Sequence, residues 1–114
     1  MMPIILEGSV IASAAVTTLP TSRLSPGCCA VILSAMAVDK TSAIANSIEI
    51  GVLEGTKEIP VSSKAGSFDA KTSYCIQYPC VLKEGQAIYA RFDVPSDKDE
   101  LYVVAHGYLR PFCL

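Results

Sequence analysis

The sequence predicts an all-β protein, an antiparallel β-sandwich of jelly-roll-like form with about eight short strands. Three observations carry that prediction. Strong β-formers alternate in short runs along the whole chain. Breakers punctuate those runs at Pro20, Pro26-Gly27, Asp39, Gly55, Pro60, Gly66, Pro79, Gly85, Pro95-Ser96 and Pro111. At 114 residues the chain has room for one core. A single domain over 1–114 is therefore expected, with residues 1–8 as an N-terminal arm or a segment covering a sheet.

In chain order the candidate strands are Val10–Thr17, Cys28–Val38, Ile44–Leu53, Glu58–Ser62, Ser67–Ala70, Ser73–Tyr78, Ala87–Val94 and Leu101–Leu109. Alternation tells which face of each is dry. In "AIYARFDV", Ile88, Ala90, Phe92 and Val94 share an apolar face, and Ala87, Tyr89, Arg91 and Asp93 a largely polar one. A strand with one side on a core reads this way. In "LYVVAHGYL", Leu101, Val103, Ala105, Gly107 and Leu109 face one way and Tyr102, Val104, His106 and Tyr108 the other. Tyrosine and histidine combine an apolar body with a polar tip, which suits a contact surface.

"SPGCCAVILSAMAVD", residues 25–39, is different. As a strand it points Cys28, Ala30, Ile32, Ser34, Met36 and Val38 one way, and Cys29, Val31, Leu33, Ala35 and Ala37 the other. Both faces are dry. A sandwich has a core on only one side of each sheet, so the second face needs cover. That cover comes either from "MMPIILEG" of the same chain or from another subunit. Helix competes with strand only over Ala35–Ser47, where Ala, Met, Lys and Ile allow one or two turns.

Composition makes the same demand. Hydrophobic residues are 51% of the chain and charged residues 18%, where about a quarter is usual. A small body has much surface and little interior, so this excess belongs at a partner interface or in a membrane. A spanning helix needs about 20 apolar residues, and Cys28–Val38 falls well short between Pro26-Gly27 and Asp39-Lys40. The Ala-Ser-Ala step of "IASAAV" resembles a cleavage site, but no Lys or Arg precedes it and Glu7 does. No export signal and no membrane partner are expected. The net charge is −2, and Lys57, Lys64, Lys71, Lys83 and Lys98 are scattered singly, so no phosphate-binding face for nucleic acid is expected. "DKDE", Asp97 to Glu100, matches no calcium loop and reads as a solvated turn between strands.

The five cysteines, Cys28, Cys29, Cys75, Cys80 and Cys113, cannot all pair within one chain. Cys28 and Cys29 would lie on opposite faces of a strand. A zinc site would have to gather scattered ligands around His106, and the spacing gives no support for one. Buried thiols are the favoured reading, with a Cys75–Cys80 bridge as an alternative. His106 is the single histidine, no carboxylate pair stands in an evident cleft, and there is no phosphate loop. No catalytic residue, cofactor or metal is expected, and the protein is read as a non-enzyme.

Four stretches carry a resemblance to a known family: "SVIASAAVTTLP", a strand before a loop; the buried "CCAVILSAMAV"; "YPCVLKEGQAIYARFDV", two strands about a Lys-Glu-Gly-Gln turn; and the closing "DELYVVAHGYLRPF". Their layout over residues 9 to 112 resembles the small β-sandwich decoration, or cement, proteins of tailed-phage capsids. The resemblance implies a jelly-roll-like fold, a dimer or trimer, docking on the major capsid protein at the virion surface, and no catalytic residues. The residues read as an interface are Met1, Met2, Ile4, Ile5, Leu6, Tyr102, Val104, His106 and Tyr108. Two rival readings are a glycan- or receptor-binding module of a phage tail or fibre, using Tyr74, Tyr78, Tyr89, Tyr102 or Tyr108 as platforms, and an assembly subunit of non-viral origin.

Overall fold

The chain is one long hairpin wound on itself. Its tip is the Gly55-Thr56 turn between β4 (Ser47–Glu54) and β5 (Lys57–Ala65). Gly55 has φ +61° and Thr56 a negative φ, the pattern of a type II′ turn, which requires glycine first. Outward from this tip the two arms pair in order. β3 (Cys28–Asp39) pairs with β6 (Tyr74–Ile76) and β7 (Cys80–Leu82). β2 (Thr17–Pro20) pairs with β8 (Gln86–Phe92), and β1 (Met2–Ile11) with β9 (Glu100–Pro111). The computed structural model describes residues 2–13, 15–42, 47–66, 68–77 and 80–111, with side chains through residue 110.

Winding distributes these pairs over two antiparallel sheets. One has the order β1-β9-β3-β6, with β7 also on β3; the other has the order β2-β8-β4-β5. Taking β6 and β7 as one interrupted strand, this is an eight-position jelly roll. The first sheet, called here the β3–β9 sheet, faces the second across a core of Ile32, Ile48, Ile50, Leu82, Ile88 and Phe92, all at most 2% exposed, among others. The sandwich closes at both flanks. On one, a Cβ at Gly8 would lie 2.1 Å from the Pro20 carbonyl oxygen, so β1 and β2 nearly touch, and the Ser22 amide donates to the Glu7 carbonyl at 3.1 Å. On the other, the Ser62 and Tyr74 hydroxyls hydrogen-bond between β5 and β6.

The all-β, two-sheet expectation matches, and several boundaries differ for physical reasons. Val10–Thr17 is not one continuous strand. The N-terminal segment is neither a free arm nor a cover over a sheet: it pairs along β9 as the edge strand β1, with Leu6 in the core. Of the candidate Val10–Thr17, Val10 and Ile11 instead end β1 and Thr17 opens β2; Ala14 lies outside the described residues. Met1 lies outside the described residues. Ser67–Ala70 contributes only Phe68, which joins the core, before a turn; Ser67 is outside the described residues. Ser73–Tyr78 shrinks to Tyr74–Ile76, with Tyr78 outside. The helical alternative over Ala35–Ser47 gives way to the end of β3, a turn at Lys40–Ser42 and the start of β4; Ala43–Asn46, and with them Ile44, are outside.

The pleat of β3 also breaks. Its register with β9 slips between Ile32 and Ser34, leaving Leu33 as the extra residue of a β-bulge. Ala30 and Ile32 face the core before the bulge, and Ala35 and Ala37 face it after. Strict alternation placed these pairs on opposite faces. On β8, Ile88, Ala90 and Phe92 are core as expected, but Val94 lies past the strand, 53% exposed at φ +52°. The opposite face of β8 is drier than alternation suggested, because Tyr89 is fully buried there.

Tyr89 owes this burial to Gly51, which pairs with it across β4 and β8. A Cβ on Gly51 would stand 2.7 Å from Tyr89 Cε1 and 2.3 Å from the Ile59 carbonyl oxygen. The phenol donates to Glu49 Oε2 at 2.7 Å, and burial, then that carboxylate, raise its pKa. Gly51→Ala is expected to destabilise the fold by about 1–3 kcal/mol through overpacking. Urea unfolding would show a lower midpoint at unchanged slope; an unchanged midpoint would contradict this packing.

Candidate interaction surface

The outer face of the β3–β9 sheet is built by register. Antiparallel partners share a face, so each row across the sheet can be read from the pairing. One row runs Pro3, Tyr108, Val31, Val81 across β1, β9, β3 and β7. The next is Ile5, His106, Ser34, with the bulged Leu33 beside it. Then come Glu7, Val104, Met36, Cys75, and after them Ser9, Tyr102, Val38. The first row, with Ile5 and Leu33 beside it, forms a largely apolar strip across the full width of the sheet. Ile5, Leu33 and Val81 are 57%, 52% and 53% exposed, and Val31 and Tyr108 are half-buried. Scattered single apolar residues on a surface need no explanation, whereas a contiguous set marks a contact site.

The lower rows are more polar and better covered. Val104 and Val38 are buried although they face outward. The Tyr102 hydroxyl donates to Glu7 Oε1 at 2.9 Å, a bond that raises the phenol's pKa, and the Lys40 ammonium sits 4.4 Å from its ring centre. His106 is exposed beside Ile5.

The residues read from the sequence as an interface therefore divide. Tyr102, Val104, His106 and Tyr108 do share the outer face, and Ile5 joins them. Leu6 is core and Ile4 packs partly against it, so both leave the candidate surface: the period of β1 turns them inward once the segment is a strand. Met2 is 67% exposed on the inward side, beyond the core. Leu33 and Val81 were missed. The signal for Leu33 was present in the doubly dry β3, but the bulge that turns it outward has no marker in the sequence.

The other singled-out residues find structural places. Among the described tyrosines, Tyr89 is buried, Tyr74 packs at a ring-centre distance of 6.0 Å from Phe68, and Tyr102 is engaged by Glu7 and Lys40. Tyr108 alone of these keeps a place in the exposed strip. In "DKDE", Asp97 and Lys98 are exposed but Asp99 is buried, correcting the expectation of a wholly solvated turn. Cys28, Cys75 and Cys80 are free thiols. Cys29 is disulfide-bonded, which corrects the expectation of buried thiols throughout; Cys113 lies outside the described residues. The Cys75–Cys80 bridge is excluded by facing: Cys75 pairs with outward Met36, and Cys80 with inward Ile32. No group of three or more metal-ligating side chains occurs among the described residues, and no helix there is long and apolar enough to cross a membrane.

No protein-family model matches the chain, and no curated protein does. Solved structures do. A chain in the acidic stable capsid structure of Helicobacter pylori bacteriophage KHP30 superposes with a TM-score of 0.61 at 11% identity, over 100% of this chain and 92% of that one. At that identity the likeness is one of fold. Eiger TNF from S. frugiperda gives 0.49 at 10% identity over 100% and 97% of the two chains. The Tobacco streak virus coat protein gives 0.40 at 15% identity over 96% and 89%.

The two sides of the β3–β9 sheet predict different thiol reactivities. Burial pushes the Cys80 thiol up, and only the thiolate reacts readily. At neutral pH a maleimide is expected to modify the exposed Cys75 of the native protein faster than the half-buried Cys80. Cys75→Ser should remove the fast phase; fast native labelling of Cys80 would contradict the facing assigned here.

Proposed function

We propose that the protein is a non-enzymatic structural component of a tailed-phage virion. It decorates or cements the capsid surface by docking on the major capsid protein, as a dimer or trimer. The observation that carries this reading is the fold match to a phage capsid chain, which runs over the whole of this chain and 92% of the other. Jelly rolls are a recurrent architecture of capsid proteins.

Surface chemistry supports the reading independently. Cementing needs a rigid scaffold and a face that gains by leaving water. The sandwich supplies the first. The strip from Pro3 to Val81, with Ile5 and Leu33, supplies the second, at about 25 cal/mol for each Å² of apolar area buried before association costs. A standard interface takes about 800 Å² per partner, most of one broad side of a body measuring 41 × 24 × 19 Å. Among the described tyrosines, Tyr74, Tyr89 and Tyr102 are already engaged within the chain, which lends the glycan-binding alternative no support.

The test is a binding experiment. The natural chain is expected to co-sediment with phage particles and to be found in them by mass spectrometry. The double variant Leu33→Asp/Val81→Asp should fold with stability within about 0.5 kcal/mol of the natural chain, as exposed substitutions do, yet fail to join shells. Absence of the natural chain from purified particles, or normal decoration by the variant, would refute the proposal.

A further inference from the structure

Asp39 ends β3 and Asp99 leads into β9. At 2% and 1% exposure they are the buried carboxyls among the described residues. Three of their four oxygens are satisfied. Asp39 Oδ1 accepts the Thr41 and Ser42 amides at 2.9 and 3.0 Å. Asp99 Oδ1 accepts the Ser42 hydroxyl at 2.7 Å, and Asp99 Oδ2 the Ser96 amide at 3.1 Å. Asp39 Oδ2 is buried and receives no donor. Ser42 bridges the two acids, its amide on Asp39 Oδ1 and its hydroxyl on Asp99 Oδ1.

No basic side chain among the described residues forms an ion pair with either acid. The charged residues on the surrounding segments are Lys40, Asp69, Lys71, Asp97, Lys98 and Glu100, all exposed, and the Lys40 ammonium is turned to the Tyr102 ring. Two ionised carboxylates bonded by one residue, out of water and without a cation, repel strongly. One proton between them removes that charge and gives the orphan oxygen its partner.

The pair stands where four stretches meet. Ser42, from the β3–β4 connection, bonds both acids. The Asp39 carbonyl accepts the Lys71 amide at 2.9 Å, from the β5–β6 connection. The Asp99 carbonyl accepts the Ala12 amide at 2.8 Å, just past β1, and the Ala12 carbonyl accepts the Lys98 amide at 2.8 Å. These stretches adjoin the corner where Val10 and Ile11 are 39% and 60% exposed.

We propose that Asp39 and Asp99 form a proton-locked clamp: sharing one proton they hold the loop at Thr41–Ser42 against the loop at Ser96–Asp99, and losing it as pH rises releases both. Burial, then the neighbouring Asp99, raise the Asp39 pKa. For Asp99, burial pushes upward, but hydrogen bonds from Asp39, Ser42 and Ser96 outweigh it and hold the pKa low. The signs follow. Asp39's contribution is complete below the unfolded carboxyl value of about 4 and is lost as pH climbs through its folded value. Asp99's contribution is present above about 4 and is lost as pH falls through its own lowered value. The clamp is firmest between the two, singly protonated.

Asp39→Asn places a permanent donor where the proton stands. Thermal midpoints of both proteins are compared at about pH 5 and about pH 8. The natural chain is expected to lose more than the variant and to fall below it at the higher pH. In parallel, hydrogen exchange on the natural chain, corrected for intrinsic rate, should quicken about tenfold per pK unit of titration at the Thr41, Ser42 and Ser96 amides, with the β3–β9 ladder unchanged. Equal losses in the two proteins, or unchanged protection at these amides, would overturn the clamp. So would a natural-chain loss that calcium abolishes and a chelator restores, because a cation would then be holding the pair. If the variant does not fold, the exchange measurement decides alone.

Discussion

The ladder between β3 and β9 is the constraint on which the rest of the molecule depends. These are the two longest strands, and they lie side by side in the middle of their sheet. Every other strand of that sheet hangs from one of them. A strict twelve-residue alternation in β3 would have sent Ala35 and Ala37 to the outside. The bulge at Leu33 resets the pleat, so both halves of β3 present small or branched side chains to the core. The displaced residue is a leucine, and it lands in the open. Interior fit and exterior apolarity are thus two results of one register slip.

Close approach does the remaining work of shaping. Gly107 pairs with Ile32 at the bulge, and a Cβ there would stand 1.9 Å from the Val31 carbonyl oxygen. Gly8 lets β1 come against β2 in the same way. At one end of the sandwich the Asp39–Asp99 pair ties the start of the β3–β4 connection to the loop before β9 through Ser42 and Ser96. The ends of a jelly roll are loops, and loops lack ladders, so side-chain bonds to backbone amides take over that role. A buried acid pair is a costly way to do it, and it makes the tie responsive to protons.

Much of the fold was legible in the sequence, for particular reasons. The inward sets of β8 and β9 were read correctly down to Phe92 and Leu109, because the face each turns to the core is apolar at every second residue; the burial of Tyr89 on the other face of β8 depends on Gly51 across the sheet. β1 was misread because its core contribution is a single fully buried side chain, Leu6; the apolar run "MMPIIL" has no period that distinguishes an arm from an edge strand. Bulges, such as those at Leu33 on β3 and Val61 on β5, carry no local signature here and shift every later residue of their own strand by one face. Asp99 was misjudged because a charged turn is ordinarily wet, and only tertiary contact shows that Ser42 and Ser96 wrap it. The candidate surface was half legible: the Tyr102–Tyr108 alternation is local, whereas the joining of Ile5, Leu33 and Val81 into one strip needs the pairing of four strands.

The account turns on whether the strip running from Pro3 to Val81 is out of water in the native setting. Hydroxyl-radical footprinting of intact phage particles beside the isolated protein measures this side chain by side chain. Strong protection of Leu33, Val81 and Tyr108 in the particle, with exposed residues of β5 such as Ile59 still labelled, is the predicted result. Equal labelling of the strip in both states would mean that nothing covers it, and the virion reading would lose its physical basis.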